Sequence, residues 1–261
     1  MAHQLAFIVE PIKDWKINVE LNYRSNYNFN HTDYQTVYGY DVSKNPYIIA
    51  NQTSSVTEYA YKSNFFNPNI FTEYGKSLES GHNFKVMLGF QSELFKQRDI
   101  TASQDGIMSE VATLNTTQTN AQNRGGYSEW ATAGFFGRVN YDWKERYLFT
   151  FSLRHEGSSR FGENHKWGNF PAVSVGWRIS DEKFMKGLSW IDDLKVRYDY
   201  GVTGNQEIGN YNSLATYRAF GWYQYNGNRF HVWGPSKNTN SELRWEKGHN
   251  PVSYTHLTLP T

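Results

Sequence analysis

The sequence predicts an all-β chain, an antiparallel meander of about eight strands that forms part of a transmembrane β-barrel. Three observations predict it: strict alternation of apolar and polar residues in several runs, short and long connections in alternation, and abundant rings in a chain that is polar on average.

The alternation is clearest at residues 15–24. Trp15, Ile17, Val19, Leu21 and Tyr23 fall on one face, and Lys16, Asn18, Glu20, Asn22 and Arg24 on the other. Successive strand side chains point to opposite faces, so this pattern gives a strand with two unlike surfaces. It returns at Phe84, Val86, Leu88 and Phe90; at Phe135, Gly137, Val139, Tyr141 and Trp143; at Tyr147, Phe149, Phe151 and Leu153; and at Leu194, Val196, Tyr198, Tyr200 and Val202. Residues 5–10, 56–75, 170–179 and 211–225 give weaker strand patterns, and residues 181–191 give the one helical pattern, placed in a connection.

Short links are expected at 11–14, 77–83 and 144–146, with a compact one at 180–193, and long polar ones at about 30–55, 99–130, 157–168 and from 204 onward. In a meander every second connection lies at the same end, so one rim carries tight turns and the other extended loops, as in outer-membrane barrels. Prolines and glycines between the runs argue against long helices.

Composition narrows the classes. Of 261 residues, 17% are aromatic (19 Tyr, 17 Phe and 9 Trp), while the mean hydropathy is −0.72. A net charge of +1 gives no nucleic-acid signature, and the lack of cysteine excludes disulfide and thiolate-metal frameworks. No run approaches the roughly 20 apolar residues of a membrane helix, but a barrel strand crosses in about 9 to 11 alternating residues. A soluble β-sandwich also alternates. Full charges in mid-strand and rings toward strand ends favour the barrel, whose lumen accepts charge and whose interfaces collect rings.

No nucleophile, P-loop or dinucleotide motif is present, the eight histidines lack metal-ligand spacing, and neither enzyme, metal nor cofactor is called for. Asp192 and Asp193 read as a solvated pair before a strand, and His155 and His165 as rim residues. The densest motifs are Phe136-Gly-Arg-Val-Asn-Tyr-Asp-Trp, Arg154-His-Glu-Gly157-Ser158-Ser159-Arg160-Phe161-Gly, Trp167-Gly168-Asn-Phe170-Pro171-Ala-Val-Ser-Val-Gly176-Trp177-Arg178, and Gly201-Val-Thr203-Gly204-Asn205-Gln206. Physically, Gly157-Ser158-Ser159 and Phe161-Gly make a turn-rich rim loop, and Gly201 and Gly204 a bend or close backbone packing near a strand end, structural before functional.

In order and spacing these blocks resemble the barrel of SusC/RagA family TonB-linked outer membrane proteins, most densely over 134–217 and again at 240–247. The resemblance implies part of a plugged, roughly 22-stranded importer in the bacterial outer membrane. It implies outer-membrane lipid, TonB and a SusD-like surface lipoprotein as partners, and an oligosaccharide or peptide as substrate. The polar positions Lys16, Glu20, Arg24, Arg138, Asn140, Arg154, Lys195 and Arg197 would then line the lumen or touch the plug. The rings at Tyr217, Phe220, Trp222, Tyr223, Tyr225 and Trp233 are the substrate-stacking candidates, with loop packing or interface anchoring as their bland reading. The alternatives are a passive porin and a soluble glycan-binding sandwich. The family's leader, plug and TonB-contacting segment are not visible, so residues 1–250 read as an internal barrel piece. Residues 251–261 read as a foreign tail resembling translated adapter sequence.

Overall fold

The computed structural model describes residues 1–187 and 190–258. Its main element is a nine-stranded sheet in the order β1-β2-β5-β6-β7-β8-β9-β10-β13. The strands are β1 (Ala2–Ile12), β2 (Trp15–Tyr34), β5 (Ser55–Ser77), β6 (His82–Ile107), β7 (Thr117–Trp143), β8 (Tyr147–Ser158), β9 (Trp167–Arg178), β10 (Asp193–Asn205) and β13 (Glu246–Thr258). Two separate hairpins, β3–β4 (Val37–Tyr40, Pro46–Ala50) and β11–β12 (Tyr217–Tyr225, Asn228–Pro235), sit within connections.

Contacts divide the chain into two units. One comprises Met1–His3, Tyr23–Phe66 and Leu94–Glu129; the other comprises Gln4–Asn22, Asn67–Glu93 and Trp130–Thr261. In the first, Val56 is fully buried at the start of β5, and the Ser54 carbonyl accepts from the Gly106 amide at 2.7 Å. The β3–β4 turn is closed by Asp41, whose carboxylate accepts from the Ser43 and Asn45 amides, each at 2.8 Å.

In the second unit the short links gather at one end of the sheet. The Lys144 amide donates to the Gly81 carbonyl at 2.6 Å, Arg178 donates to Arg146 at 2.8 Å, and Gly75 donates to Asp14 at 3.1 Å. Lys144 and Glu145 both hold positive φ (52° and 56°) in a two-residue turn closed by Arg146 N–H to Trp143 C=O. Such a turn matches the twist of the strands it joins. Asp14 adopts φ 70° in the neighbouring link.

The nine-stranded sheet agrees with the expected antiparallel meander of about eight. Three expectations need correction. Residues 99–130 are mostly strand, because β6 continues to Ile107 and β7 begins at Thr117, leaving a short link with one 3₁₀ turn at Leu114–Thr116. Strand content there comes from Thr, Ser, Gln and Asn, whose polar faces mimic a loop by composition alone. The tract from 204 onward contains a hairpin beginning at Tyr217, not a strand from 211. The helical pattern at 181–191 gives 3₁₀ turns at Ile179–Asp181 and Lys183–Met185, with Leu188 and Ser189 outside the described residues. About three turns of helical pattern, interrupted by Gly187, do not offset the cost of nucleating a helix.

Candidate functional site

Register separates two faces in the second unit. One face carries the rows Val139–Phe151–Val173–Tyr200, Tyr141–Phe149–Val175–Tyr198 and Trp143–Tyr147–Trp177–Val196. The other carries Asn140–Thr150–Ser174–Asp199, Arg138–Ser152–Ala172–Gly201 and Phe136–Arg154–Phe170. The apolar row is the more exposed one: Phe149, Phe151 and Leu153 are 39–40% accessible, while Thr150 and Ser152 between them are half-buried. Val196, Tyr198 and Leu88 are exposed as well, and Ile17, Val19, Leu21 and Val86 are half-buried. An apolar sheet face left open while its polar face is partly shielded reverses the arrangement of a soluble sandwich.

Rings line the short-link end of the apolar face. His82 stacks on Trp143 (5.9 Å), Trp143 on Tyr147 (5.6 Å) and Tyr147 on Trp177 (6.5 Å), so four adjacent strands contribute to one ladder. Glu182 ties this ladder to the connection beyond it: its carboxylate accepts from the Tyr147 hydroxyl at 2.5 Å and the Trp177 indole at 3.1 Å, and pairs with Arg146 at 3.3 Å. The Tyr147 hydrogen bond, then that of Trp177, holds the Glu182 carboxyl below its ordinary value. At the far end of β8, His155 stacks on Trp167 at 4.8 Å. From Tyr147 to His155 is nine residues of strand, close to the length that crosses a bilayer.

The polar face is internally paired. Arg154 holds Glu156 at 2.6 Å and reaches Gln91 at 3.2 Å; Arg197 holds Asp199 and the Ser174 hydroxyl; Thr150 donates to Asn140. Arg138 and Lys195 share this face through Ser152 and Arg178 in register. On β2 and β5, Asn69 donates to Glu20 at 3.2 Å, while Lys16 alternates with the ring-bearing positions as the sequence predicts. Arg24, in the smaller unit, lies over the Phe65 ring. No group of three or more His, Asp or Glu side chains suited to a metal occurs among the described residues. Asp193 accepts from Ser180 and lies 3.7 Å from Arg178, while His165 meets Glu242 at 2.9 Å.

Of the motif blocks, Phe136–Trp143 runs along β7 to the ring ladder, while parts of the other three meet in a hub at the long-loop end. Phe161 and Ser158 are each 2% exposed, and Trp245 is 7% exposed. The Trp245 ring contacts both Phe161 and Phe170 at 5.0 Å, and its indole donates to the Lys166 carbonyl at 2.8 Å. Gly168 and Gly204 lie so close to Phe170 and Trp245 that a Cβ at either would overlap a ring, and Gly157 lies against Trp167. Ser159 exchanges hydrogen bonds with the Ala131 backbone. Arg160 stacks on Trp130 at 4.9 Å and donates to Asn210 and to the Gln206 carbonyl. Asn205 donates to Glu246, and Thr203 accepts from Asn250. Pro171 and Gly201 occupy ordinary register positions opposite Leu153 and Ala172. By contrast Gly176, Trp177 and Arg178 end β9 among the short links, so one continuous block of sequence serves both ends of a strand.

The ring-rich hairpin turns on Asn226-Gly227, with φ 47° and 75°, a dipeptide signal for a tight hairpin that the reading of single rings passed over. Its register divides the candidate rings. Trp222 lies against His231 (3.7 Å), with Trp233 on the same side, while Tyr223 and Tyr225 share the opposite side with Phe230. Trp222, Tyr223, Tyr225 and Trp233 are all 58–66% exposed. The four candidates are brought onto one hairpin but not into one surface.

Known proteins place this geometry. The family model for the TonB dependent receptor-like β-barrel matches residues 4–251. TonB-dependent receptor P39 of Formosa agariphila is 38% identical over 70% of this chain and 17% of its own length. TonB-dependent receptor SusC of Bacteroides thetaiotaomicron is 33% identical over 77% of this chain and 20% of its own. A solved structure described as the RagAB peptide importer in the open-open state superposes on 99% of this chain and 28% of its own with TM-score 0.85, at 24% identity. The chain thus spans about a fifth of the curated relatives' length. With the family model matching nearly the whole chain, the chain belongs to the TonB-dependent receptor-like β-barrels of SusC/RagA type.

Proposed function

We propose that this segment is wall and extracellular loop of a TonB-dependent outer-membrane importer, with its ring-bearing face in lipid and its polar face toward a plugged lumen. The observation that carries the reading is the exposed apolar row of Phe149, Phe151, Val196 and Tyr198 opposite the paired polar row of Asn140, Thr150, Arg154 and Arg197. The polar face binds and guides, with no bond broken. A structural neighbour described as a peptide importer supports a peptide as cargo, and the oligosaccharide alternative rests on the resemblance of the motif blocks to the SusC/RagA family. A SusD-like lipoprotein and TonB are the partners this reading calls for. The exposed hairpin rings stand as the substrate-facing candidates, Trp222 and Trp233 acting together and Tyr223 and Tyr225 together.

The test is uptake of labelled maltooligosaccharides and of labelled short peptides by cells carrying the complete receptor, with and without a proton uncoupler. Energy-dependent uptake of one cargo class supports the proposal. Uptake that survives the uncoupler unchanged would favour a passive porin. Replacing Trp222 and Trp233 together by Ala should weaken capture about thirtyfold if those rings stack on cargo, since each stacked ring is worth on the order of 1 kcal/mol.

We also propose that residues 251–261 are foreign to the barrel. β13 sets Val252 and Tyr254 opposite Asp199 and Arg197 on the polar face, and Ser253 and Thr255 opposite Tyr198 and Val196 on the apolar face. Sequencing the gene from an independent sample should replace this tract with a strand whose apolar residues meet Val196 and Tyr198; recovery of the same tract would end the idea.

A further inference from the structure

The β11–β12 hairpin is a two-stranded sheet of its own, and the tract that carries it is one-sided in charge. The whole chain balances 26 Lys and Arg against 25 Asp and Glu, yet between Glu207 and Glu242 there are Arg218, Arg229 and Lys237 and no Asp or Glu. Lys237 is occupied at the base of the hairpin, where it donates to the Asn212 side chain at 2.8 Å. Arg218 lies 4.7 Å over the Phe220 ring. Arg229 is exposed, and among the described residues no carboxylate pairs with it. Register puts Arg229 on the tryptophan side: it lies opposite Gln224, the next pair on that side is Trp222 with His231, and Trp233 follows two residues further along β12. The His231 ring lies 3.7 Å from that of Trp222 and 6.3 Å from that of Trp233, so the three rings are neighbours. Same-side positions along a strand are about 7 Å apart, so this side is long enough for more than one sugar ring.

We propose that this side of the hairpin binds an anionic oligosaccharide, one whose rings carry carboxylate or sulfate, an inference that rests on the reading of the hairpin as cargo-facing. Exposed tryptophan rings offer flat apolar faces to the C–H faces of sugar rings. The planar fork of an arginine takes an oxyanion through two parallel hydrogen bonds. A neutral sugar presents hydroxyl donors as well as acceptors, and carboxylates hold those donors best; the tract from 208 to 241 offers none. The surface is thus supplied with donors and short of strong acceptors, which favours a cargo that brings the negative charge itself. An acidic peptide would bring the charge but would leave the Trp222 and Trp233 faces without a flat partner.

The test uses the complete receptor in non-ionic detergent, with binding read by titration calorimetry. The probes are tetragalacturonate and its methyl ester, a sulfated carrageenan tetrasaccharide and the same oligomer desulfated, and tetraglutamate. At low salt at least one charged sugar should bind about fivefold more tightly than its neutral counterpart, the size of one good exposed ion pair, and the difference should shrink as salt rises. Arg229→Gln should abolish the difference and Arg229→Lys should keep part of it. Arg218→Gln, on the opposite side of the hairpin, should leave it intact, all three variants keeping their heat-modifiable gel migration. Equal binding of charged and neutral forms, no binding of either charged sugar, an Arg229→Gln variant that still discriminates, or tighter binding of tetraglutamate than of the sugars would each overturn the proposal. A paired Trp222→Ala, Trp233→Ala variant separates the two ways of failing. If sugars bind without regard to charge and that variant loses them, the hairpin faces cargo and only the charge inference falls; if it binds every sugar as the parent does, the cargo-facing reading itself falls.

Discussion

Gly162 and Gly204 matter for the atoms they lack. The Gly162 backbone passes so close to the Ser241 carbonyl that a Cβ would collide with it, and Gly204 presses on the Phe170 and Trp245 rings. Gly204→Val should therefore destabilise the complete barrel by roughly 1 to 3 kcal/mol, the usual cost of overpacking, and Trp245→Ala by roughly 3 to 5 kcal/mol through the void left beside Phe161 and Phe170. Urea titration of the heat-modifiable band measures both; unchanged midpoints would remove the hub from the account. Glu182 gives a pH signature. Its carboxyl titrates below the ordinary value of 4.5, so its anchoring of Tyr147 and Trp177 is present above that value and is lost as pH falls through the lower folded one. Glu182→Gln should make stability less dependent on pH in that acid window, and an identical pH profile in both proteins would show the anchor to be inert. The sequence marked the glycines and rings of this hub but not their meeting. Trp245 lies 84 residues beyond Phe161, and no local pattern records that the two share a pocket.

Strands differ in how much of them can be read from residues. β8 was legible because Tyr147, Phe149, Phe151 and Leu153 alternate with polar partners against two neighbours of the same pattern. The outer parts of β6 and β7 were not, because both of their faces are polar and alternation disappears when neither face is apolar. The β11–β12 hairpin lies between: its Asn226-Gly227 turn carries a signal, yet its rings occupy both faces and so show no period of two. These differences give a prediction for β8. Phe149→Arg or Phe151→Arg should cost the complete barrel roughly 2 to 4 kcal/mol near the bilayer midplane, while Thr150→Arg, on the paired polar face, should cost far less. Equal penalties at 149 and 150, measured by urea-induced unfolding in lipid vesicles, would mean that the two faces do not differ in their surroundings.

The nine-stranded sheet begins at β1 and finishes at β13, each paired on one side only. Unpaired strand edges invite pairing with other chains in water and cannot be satisfied in hydrocarbon. Residues 1–250 expressed alone should accumulate as aggregate and refold into no monodisperse, heat-modifiable species that takes up labelled oligosaccharide; such a species would contradict the reading of the segment as part of a larger wall. The connections that gather at one end through Gly81–Lys144 and Arg146–Arg178, and the motif hub at the other, give the sheet its two distinct rims. Between those rims the central claim is that one face meets lipid. The chain has no cysteine of its own, so single cysteines at 148 to 153 can each carry a nitroxide in the complete receptor reconstituted in vesicles. Collision with oxygen, which concentrates in hydrocarbon, should be high at 149, 151 and 153 and low at 148, 150 and 152, and collision with a water-soluble nickel chelate should not be high at the odd positions. High oxygen collision at the even positions, or odd positions shielded from both reagents as in a closed core, would contradict it.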